Sequence, residues 1–315
     1  MNIDVDTAVA HAPHFIAIDL GSNSFHLLVS CWQQDALKEV ARSKQLVQLA
    51  RGIDAQGQLC AEAQDRALNC LHDFQAIISR YPHARIRAVG TQALRVATNA
   101  KSFLQRAEQA LSCPIEIISG AEEAELTYRG IDFFCEPKNA NKKKLVIDIG
   151  GASTEFIIGQ GRDIGCLESI QLGCVTLAEQ YFSQPPTTIT QAKMNAAYTH
   201  SREQLARISE QYLRCGWDIS IGASGTMAVI AQIMGQSRLI RRKDLLQLIN
   251  AMLKAGELNS ELAPNLRHDV LPAGLAMLQA IFDQLRIEQL IVADATLKEG
   301  LLVTMLAASQ SEPVA

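Results

Sequence analysis

Two segments of this 315-residue chain carry an aspartate, a glycine and a serine in the same order after a run of apolar residues. Ile16-Ala17-Ile18-Asp19-Leu20-Gly21-Ser22-Asn23-Ser24 is matched by Leu145-Val146-Ile147-Asp148-Ile149-Gly150-Gly151-Ala152-Ser153. Gly21, Gly150 and Gly151 let backbone N–H groups approach a phosphate closely, and Ser24 and Ser153 add hydroxyl donors. The carboxylates of Asp19 and Asp148 can hold a magnesium ion, directly or through water. One such segment alone reads as a plain hairpin turn, for which Asp and Gly are common. Two at matched positions, one in each half of the chain, point to a paired phosphate clamp.

Other residues offer supporting chemistry. Ile117-Ile118-Ser119-Gly120-Ala121-Glu122-Glu123-Ala124 reads as a strand entering a helix, with Ser119 and Glu122 spaced as a capping box. Glu123 has no capping duty and could act as a general base on water. From the residues alone, a solvated acidic first turn is the better account of both glutamates. Gly222-Ala223-Ser224-Gly225-Thr226 is a further glycine-bearing turn, fit either to cradle a phosphate or base or to let a strand and helix approach. Arg95 and Arg267 present guanidinium forks that match phosphate oxygens, although a single arginine is usually a surface residue. The Lys142-Lys143-Lys144 run reads as a solvated loop. The sequence contains no G-x-x-x-x-G-K-[ST], H-E-x-x-H or G-x-S-x-G, which removes support for P-loop, zincin and α/β-hydrolase chemistry. The dyads His72-Asp73 and His268-Asp269 lack the further ligands that a His-Asp metal centre needs.

The elements that must position these residues show in the apolar pattern. Each Asp-Gly segment follows a buried-type strand and precedes alternating apolar positions: Phe25, Leu27 and Val29 in the first, Phe156 and Ile158 in the second. That is a hairpin pattern. Helical periodicity at 61–78 and 102–111 alternates with strands at 86–90, 115–118, 218–222 and 290–293. Helices are expected to start near Thr226 and Lys298. The order implies α/β sheets covered on both faces, built as two similar domains. Polar stretches at 136–144 and 184–190 read as loops.

Bulk properties narrow the classes. The length favours two domains. A net charge of −4 gives no sign of general nucleic-acid binding. No apolar run is long enough to span a bilayer, and the first residues do not form a signal peptide, so a cytoplasmic protein is expected. The eight cysteines are scattered without C-x-x-C spacing and read as reduced, mostly buried thiols.

Taken together, Asp19-Leu20-Gly21-Ser22-Asn23-Ser24-Phe25-His26, Gly90-Thr91-Gln92-Ala93-Leu94-Arg95, 118–124, 146–155, Gly222–Thr226 and Leu297-Lys298-Glu299-Gly300 resemble the exopolyphosphatase / guanosine pentaphosphate phosphatase family. That family lies in the sugar kinase, heat-shock chaperone and actin superfamily. The resemblance implies two actin-like α/β domains with a cleft between them, residues 1–130 with about 299–315 and residues 131–298, the last helix returning to the first. It implies magnesium-assisted hydrolysis of terminal phosphoanhydrides, with Glu123 as general base. Asp148 and Glu155 would be the metal or water-positioning carboxylates, beside the Asp19 already noted. Ser22, Asn23, Ser24, Gly150, Gly151 and Ser153 would bind phosphate, with Arg95 and Arg267 supplying positive charge.

Three positions depart from the family pattern. Ala152 replaces a glycine, Lys298 an arginine, and Glu125 stands where arginine is common. The expected substrate is inorganic polyphosphate, with guanosine penta- or tetraphosphate as the alternative partner, and a homodimer is expected. The same fold also serves ATP-dependent small-molecule kinases and ATPases, and a non-catalytic sensor would keep the same loops.

Overall fold

The computed structural model describes residues 12–183, 188–235, 238–256 and 270–311. The chain divides into two units, residues 1–119 with 297–315, and residues 120–296. Among the described residues no helix is long and apolar enough to cross a membrane.

The first unit is built on β1 (His14–Leu20), β2 (Ser24–Gln33), β3 (Ala36–Leu46), β4 (Arg85–Gly90) and β5 (Ile115–Ile117), in the order β3-β2-β1-β4-β5. β1, β2 and β3 form an antiparallel meander, and β4 and β5 continue the sheet in parallel with β1. Side chains alternate across a strand, so β1 has two faces to bury. Ile16, Ile18 and Leu20, with Phe25, Leu27 and Val29, pack against α1 (Ala61–Ile78) and α3 (Ala100–Leu111). α2 (Gln92–Val96) links β4 to α3. Asp19 and its neighbours Phe15 and Ala17 lie on the opposite face. The helix α10 (Leu297–Ser311) packs on β1 and β2.

The second unit repeats the plan. β6 (Lys144–Ile149), β7 (Thr154–Gln160) and β8 (Asp163–Ile170) form the meander, and β9 (Ile219–Gly222) and β11 (Gln289–Val292) follow in parallel. The order β8-β7-β6-β9-β11 matches that of the first sheet, with β10 (Leu239–Arg241) added antiparallel at the far edge. Val146, Ile157, Ile221 and Ala223 pack against Ala124, Tyr128 and Ile131 of α4 (Gly120–Phe133). The remaining helices are α5 (Cys174–Tyr181), α6 (Gln191–Cys215), α7 (Gly225–Ile233), α8 (Arg242–Ala255) and α9 (Leu271–Gln284). Both units are therefore actin-like α/β sheets, as expected.

Two expectations need correction. Lys144 is not part of a solvated loop: it opens β6 fully buried, and its Nζ donates to Asp132 Oδ1 (2.8 Å), Ala140 O (3.0 Å) and Lys142 O (3.3 Å). A buried ammonium needs this many acceptors to replace water. The cysteines are also less scattered in space than in sequence. Cys166 of β8 and Cys215 at the end of α6 bring their sulfurs into bonding contact, with Cα atoms 7.6 Å apart. Sheet edge and helix end converge there, which sequence spacing does not reveal. Cys31, Cys60, Cys70, Cys113, Cys135 and Cys174 are not disulfide-bonded.

Candidate active site

In β6 the residue two after Val146 is Asp148, so Asp148 shares the face that α4 covers. Its direct cross-strand partner on β7 is Glu155, and the partner of Glu155 on β8 is Ser169. An Asp–Glu–Ser row thus crosses the sheet on one face. Glu123 stands in the first turn of α4, the helix packed on that face. Glu155 is only 1% exposed, whereas Asp148 and Glu123 are half-buried. Burial, then the negative charges of Glu123 and Asp148, push the Glu155 carboxyl well above its ordinary range. Hydrogen bonds from Ser169, at 2.8 Å to Oε1, and from Ser153 oppose that shift.

The turn between β6 and β7 is held from outside. Gly150 N–H donates to Ser153 O at 2.9 Å, and a Cβ on Gly150 would meet that same oxygen at 2.9 Å. The first turn of α5 supplies N–H donors from Cys174 to Gly150 O (3.0 Å) and from Val175 and Thr176 to Gly151 O (2.9 and 3.2 Å). Those orphan helix donors are satisfied by the loop rather than by a ligand. Gly173, just before α5, makes this contact possible: a Cβ there would lie 2.3 Å from Ala152 N and Gly151 C.

The first unit has the same turn. A Cβ on Gly21 would meet Ser24 O at 2.8 Å, and the carbonyls of Asn23 and Ser22 accept from Gln48 (2.8 Å) and Ala50 (2.9 Å). Ser22 Oγ accepts from Ala93 N–H at 3.1 Å, so this hydroxyl already supports the start of α2. Asn23 Oδ1 is buried and has no hydrogen-bond partner among the described residues. The cross-strand row here reads Asp19, His26, Lys44. Lys298 and Glu299, in the first turn of α10, are both buried, with Lys298 Nζ 3.2 Å from Glu299 Oε2. Burial, then Lys298, Lys44 and Arg42, push the His26 imidazole down to about 3, so it is neutral at physiological pH. The two rows are built alike but charged differently: three carboxylates meet in the second unit, while cations outnumber them around His26.

Several residues singled out from the sequence have other partners. Arg95 donates through Nε to Gln92 Oε1 and through Nη1 to Ile118 O, both at 2.9 Å. The Ser153 hydroxyl is directed to Glu155. Ser224 caps α7 by accepting from Met227 N–H at 3.0 Å, so the Gly222–Thr226 turn has a structural duty. Glu125 is held by Arg129 at 2.6 Å, which offsets the negative charge that this position adds. Arg267 and the dyad His268-Asp269 lie outside the described residues. Ser169 and Gly173 are functional candidates that the sequence did not announce. Ser169 sits in a polar stretch without a motif, and only strand pairing brings it to Glu155.

Among the described residues no group of three or more His, Cys, Asp or Glu side chains is placed to hold a metal ion. Magnesium does not need such a group. It is commonly held by one or two carboxylates, with water and substrate phosphate completing the shell. Hard oxygen donors with mutually repelling charges, as at Asp148 and Glu155, fit that mode.

Paired sheets of one order, each with an Asp-Gly turn, and an acidic row under a helix start define an actin-like protein with a carboxylate site. Residues 28–309 match the Ppx/GppA phosphatase family, and the chain belongs to that family. It is 38% identical over 310 residues to a guanosine-5'-triphosphate,3'-diphosphate pyrophosphatase of Vibrio vulnificus, covering 96% of this chain and 61% of the relative. The protein of that name from Vibrio campbellii is 39% identical over 301 residues, covering 94% and 60%. The chain thus spans about three-fifths of the length of these curated relatives. Among solved structures, an exopolyphosphatase from Cytophaga hutchinsonii superposes with a TM-score of 0.84 at 26% identity, covering 94% of this chain and 98% of that one. The Aquifex aeolicus member of the Ppx/GppA family superposes at 0.78 and 21% identity, covering 95% and 99%.

Proposed function

We propose that this chain hydrolyses the terminal phosphoanhydride of a polyphosphorylated substrate, releasing orthophosphate, with inorganic polyphosphate as the substrate. The observation that carries the reading is the acidic row Asp148–Glu155 beneath the first turn of α4, where Glu123 stands. Glu123 is the general base, accepting the proton of the attacking water. Asp148 and Glu155 hold magnesium, and Asp19 is the corresponding donor of the first unit. A magnesium ion held by those carboxylates would supply positive charge against phosphate oxygens. Gly150 leaves room for phosphate beside the Gly151 N–H, the Ser22–Ser24 turn and Ser153, with Arg95 and Arg267 adding positive charge. The locked turns support a pre-organised grip, which such chemistry needs more than covalent participation. A magnesium-dependent homodimer in the cytoplasm completes the reading.

A second reading, hydrolysis of guanosine pentaphosphate, is favoured by the names of the two Vibrio relatives. The reacting group is the same, and only the distal grip on the substrate differs. Phosphate release from short and long polyphosphate, guanosine pentaphosphate and ATP, with and without magnesium, separates the readings. Turnover of ATP alone would mark a kinase or ATPase, and ligand-induced stabilisation without release would mark a sensor. Glu123→Gln is expected to lower turnover by about a hundredfold or more, following the magnitude of general-base catalysis, with the fold intact by circular dichroism. Near-normal phosphate release by that variant removes Glu123 as the base.

A further inference from the structure

Ser169 has no place in the reaction as set out above, yet it is the side chain that holds the most deeply buried member of the acidic row. Its Oγ donates to Glu155 Oε1 at 2.8 Å. The two residues are direct cross-strand partners in the β7·β8 ladder, so backbone pairing fixes the approach of the hydroxyl. A second bond, from Thr154 Oγ1 to Leu172 O, ties the start of β7 to the chain just after β8. β8 is thereby registered against the segment that carries Glu155 from both sides of the contact.

We propose that Ser169 is a positioning residue, holding the Glu155 carboxylate in the orientation that receives a divalent cation. The proposal rests on the reading of Asp148 and Glu155 as metal donors. A carboxylate offers about four lone-pair sites on two oxygens. Ser169 occupies one on Oε1 and Ser153 a second, which leaves the rest for a cation and its water. Without the Ser169 bond only Ser153 would be left to orient the carboxylate, between the negative charges of Glu123 and Asp148. The hydroxyl carries no charge, so it orients the carboxylate without competing as a cation. Hydrogen-bond partners of metal ligands act in this way in general, and their loss typically costs about 10–100-fold in metal affinity.

The test is manganese binding to the whole chain, used as a spectroscopic stand-in for magnesium and followed by calorimetry and electron paramagnetic resonance. Three variants are compared with the parent: Ser169→Ala, Ser169→Thr and Glu155→Gln. Ser169→Ala is expected to weaken binding by about 10–100-fold. At saturating metal its kcat should approach that of the parent. Ser169→Thr, which restores the hydroxyl, should bind within about threefold of the parent. Glu155→Gln should abolish binding. Parent-like manganese affinity in Ser169→Ala, with binding lost in Glu155→Gln, overturns the positioning role and leaves the metal reading standing. Unchanged affinity in both variants overturns the metal reading and the proposal together. Loss of binding in Ser169→Thr equal to that in Ser169→Ala also overturns the role, because it would show that packing at β8 and not the hydroxyl is responsible.

Discussion

Glu155 and Gly173 show two ways in which single residues shape the second unit's site. Glu155 contributes a charge that the fold makes hard to bear, with burial and two neighbouring carboxylates acting against it. Gly173 contributes only the absence of a side chain. Its φ is −132°, an ordinary extended value, so the requirement is for space and not for backbone freedom. The atoms a Cβ would strike are backbone atoms of the Gly151–Ala152 turn, which cannot swing aside as a side chain can. Gly173→Ala is therefore expected to displace that turn, to cost about 1–3 kcal/mol in urea unfolding, as overpacking does, and to lower phosphate release. Gly165→Ala on β8 is the control, since its nearest neighbour would sit at an ordinary 3.7 Å and little should change. Equal behaviour of the two variants would show that the turn tolerates displacement.

At the scale of elements, what could be read in advance follows from burial. α1 was legible to its ends, Ala61–Ile78, because one helical face packs into a core and the other meets water. β1 and β6 were legible as apolar runs ending in Asp because both their faces are covered. The third strand of each meander was not. β3 is an edge strand rich in Lys, Glu, Arg and Ser, with no buried position, so no alternation marks it. α9 failed for the opposite reason: it is buried nearly all round and shows no amphipathic stripe. Of the site, the two Asp-Gly turns and the two glutamates could be named, but the contact of Glu155 with Ser169 depends on strand register.

Lys144 belongs at this scale, since it joins β6 to the C-terminal part of α4, the helix that bears Glu123. Removing one partner of a buried ion pair strands the other. Lys144→Ala should cost about 3–5 kcal/mol by chemical denaturation. The double change Lys144→Met with Asp132→Leu should recover much of that loss. A cost below about 1 kcal/mol for Lys144→Ala would place the pair among surface bridges.

For the whole molecule, the duplication seen as two Asp-Gly segments extends to sheet order, to the helix across each aspartate's face, and to the cross-strand rows. Within the rows it is the charges that differ, which is how one plan yields an acidic row in one unit and a row holding His26 and Lys44 in the other. The second unit is also one continuous stretch of chain, residues 120–296. Expressed alone, that stretch should unfold cooperatively in urea, monitored by the fluorescence of Trp217, its one tryptophan. A non-cooperative transition of the isolated stretch would mean that it depends on the first unit.

The helix α10 is needed by a sheet whose strands were completed nearly two hundred residues earlier in the sequence. It brings Leu297, Leu301, Leu302 and Leu306 into buried positions, worth on the order of 6–12 kcal/mol at about 1.5–3 kcal/mol each, comparable with the whole stability of a domain. During synthesis the second unit can close as soon as residue 296 emerges, while the first must wait with one face of β1 bare. The two units are thus expected to be completed in the reverse of the order in which they are begun. The unit that is begun first is finished last, and for that interval its exposed strands are the part of the nascent chain most open to chaperones or to misassembly.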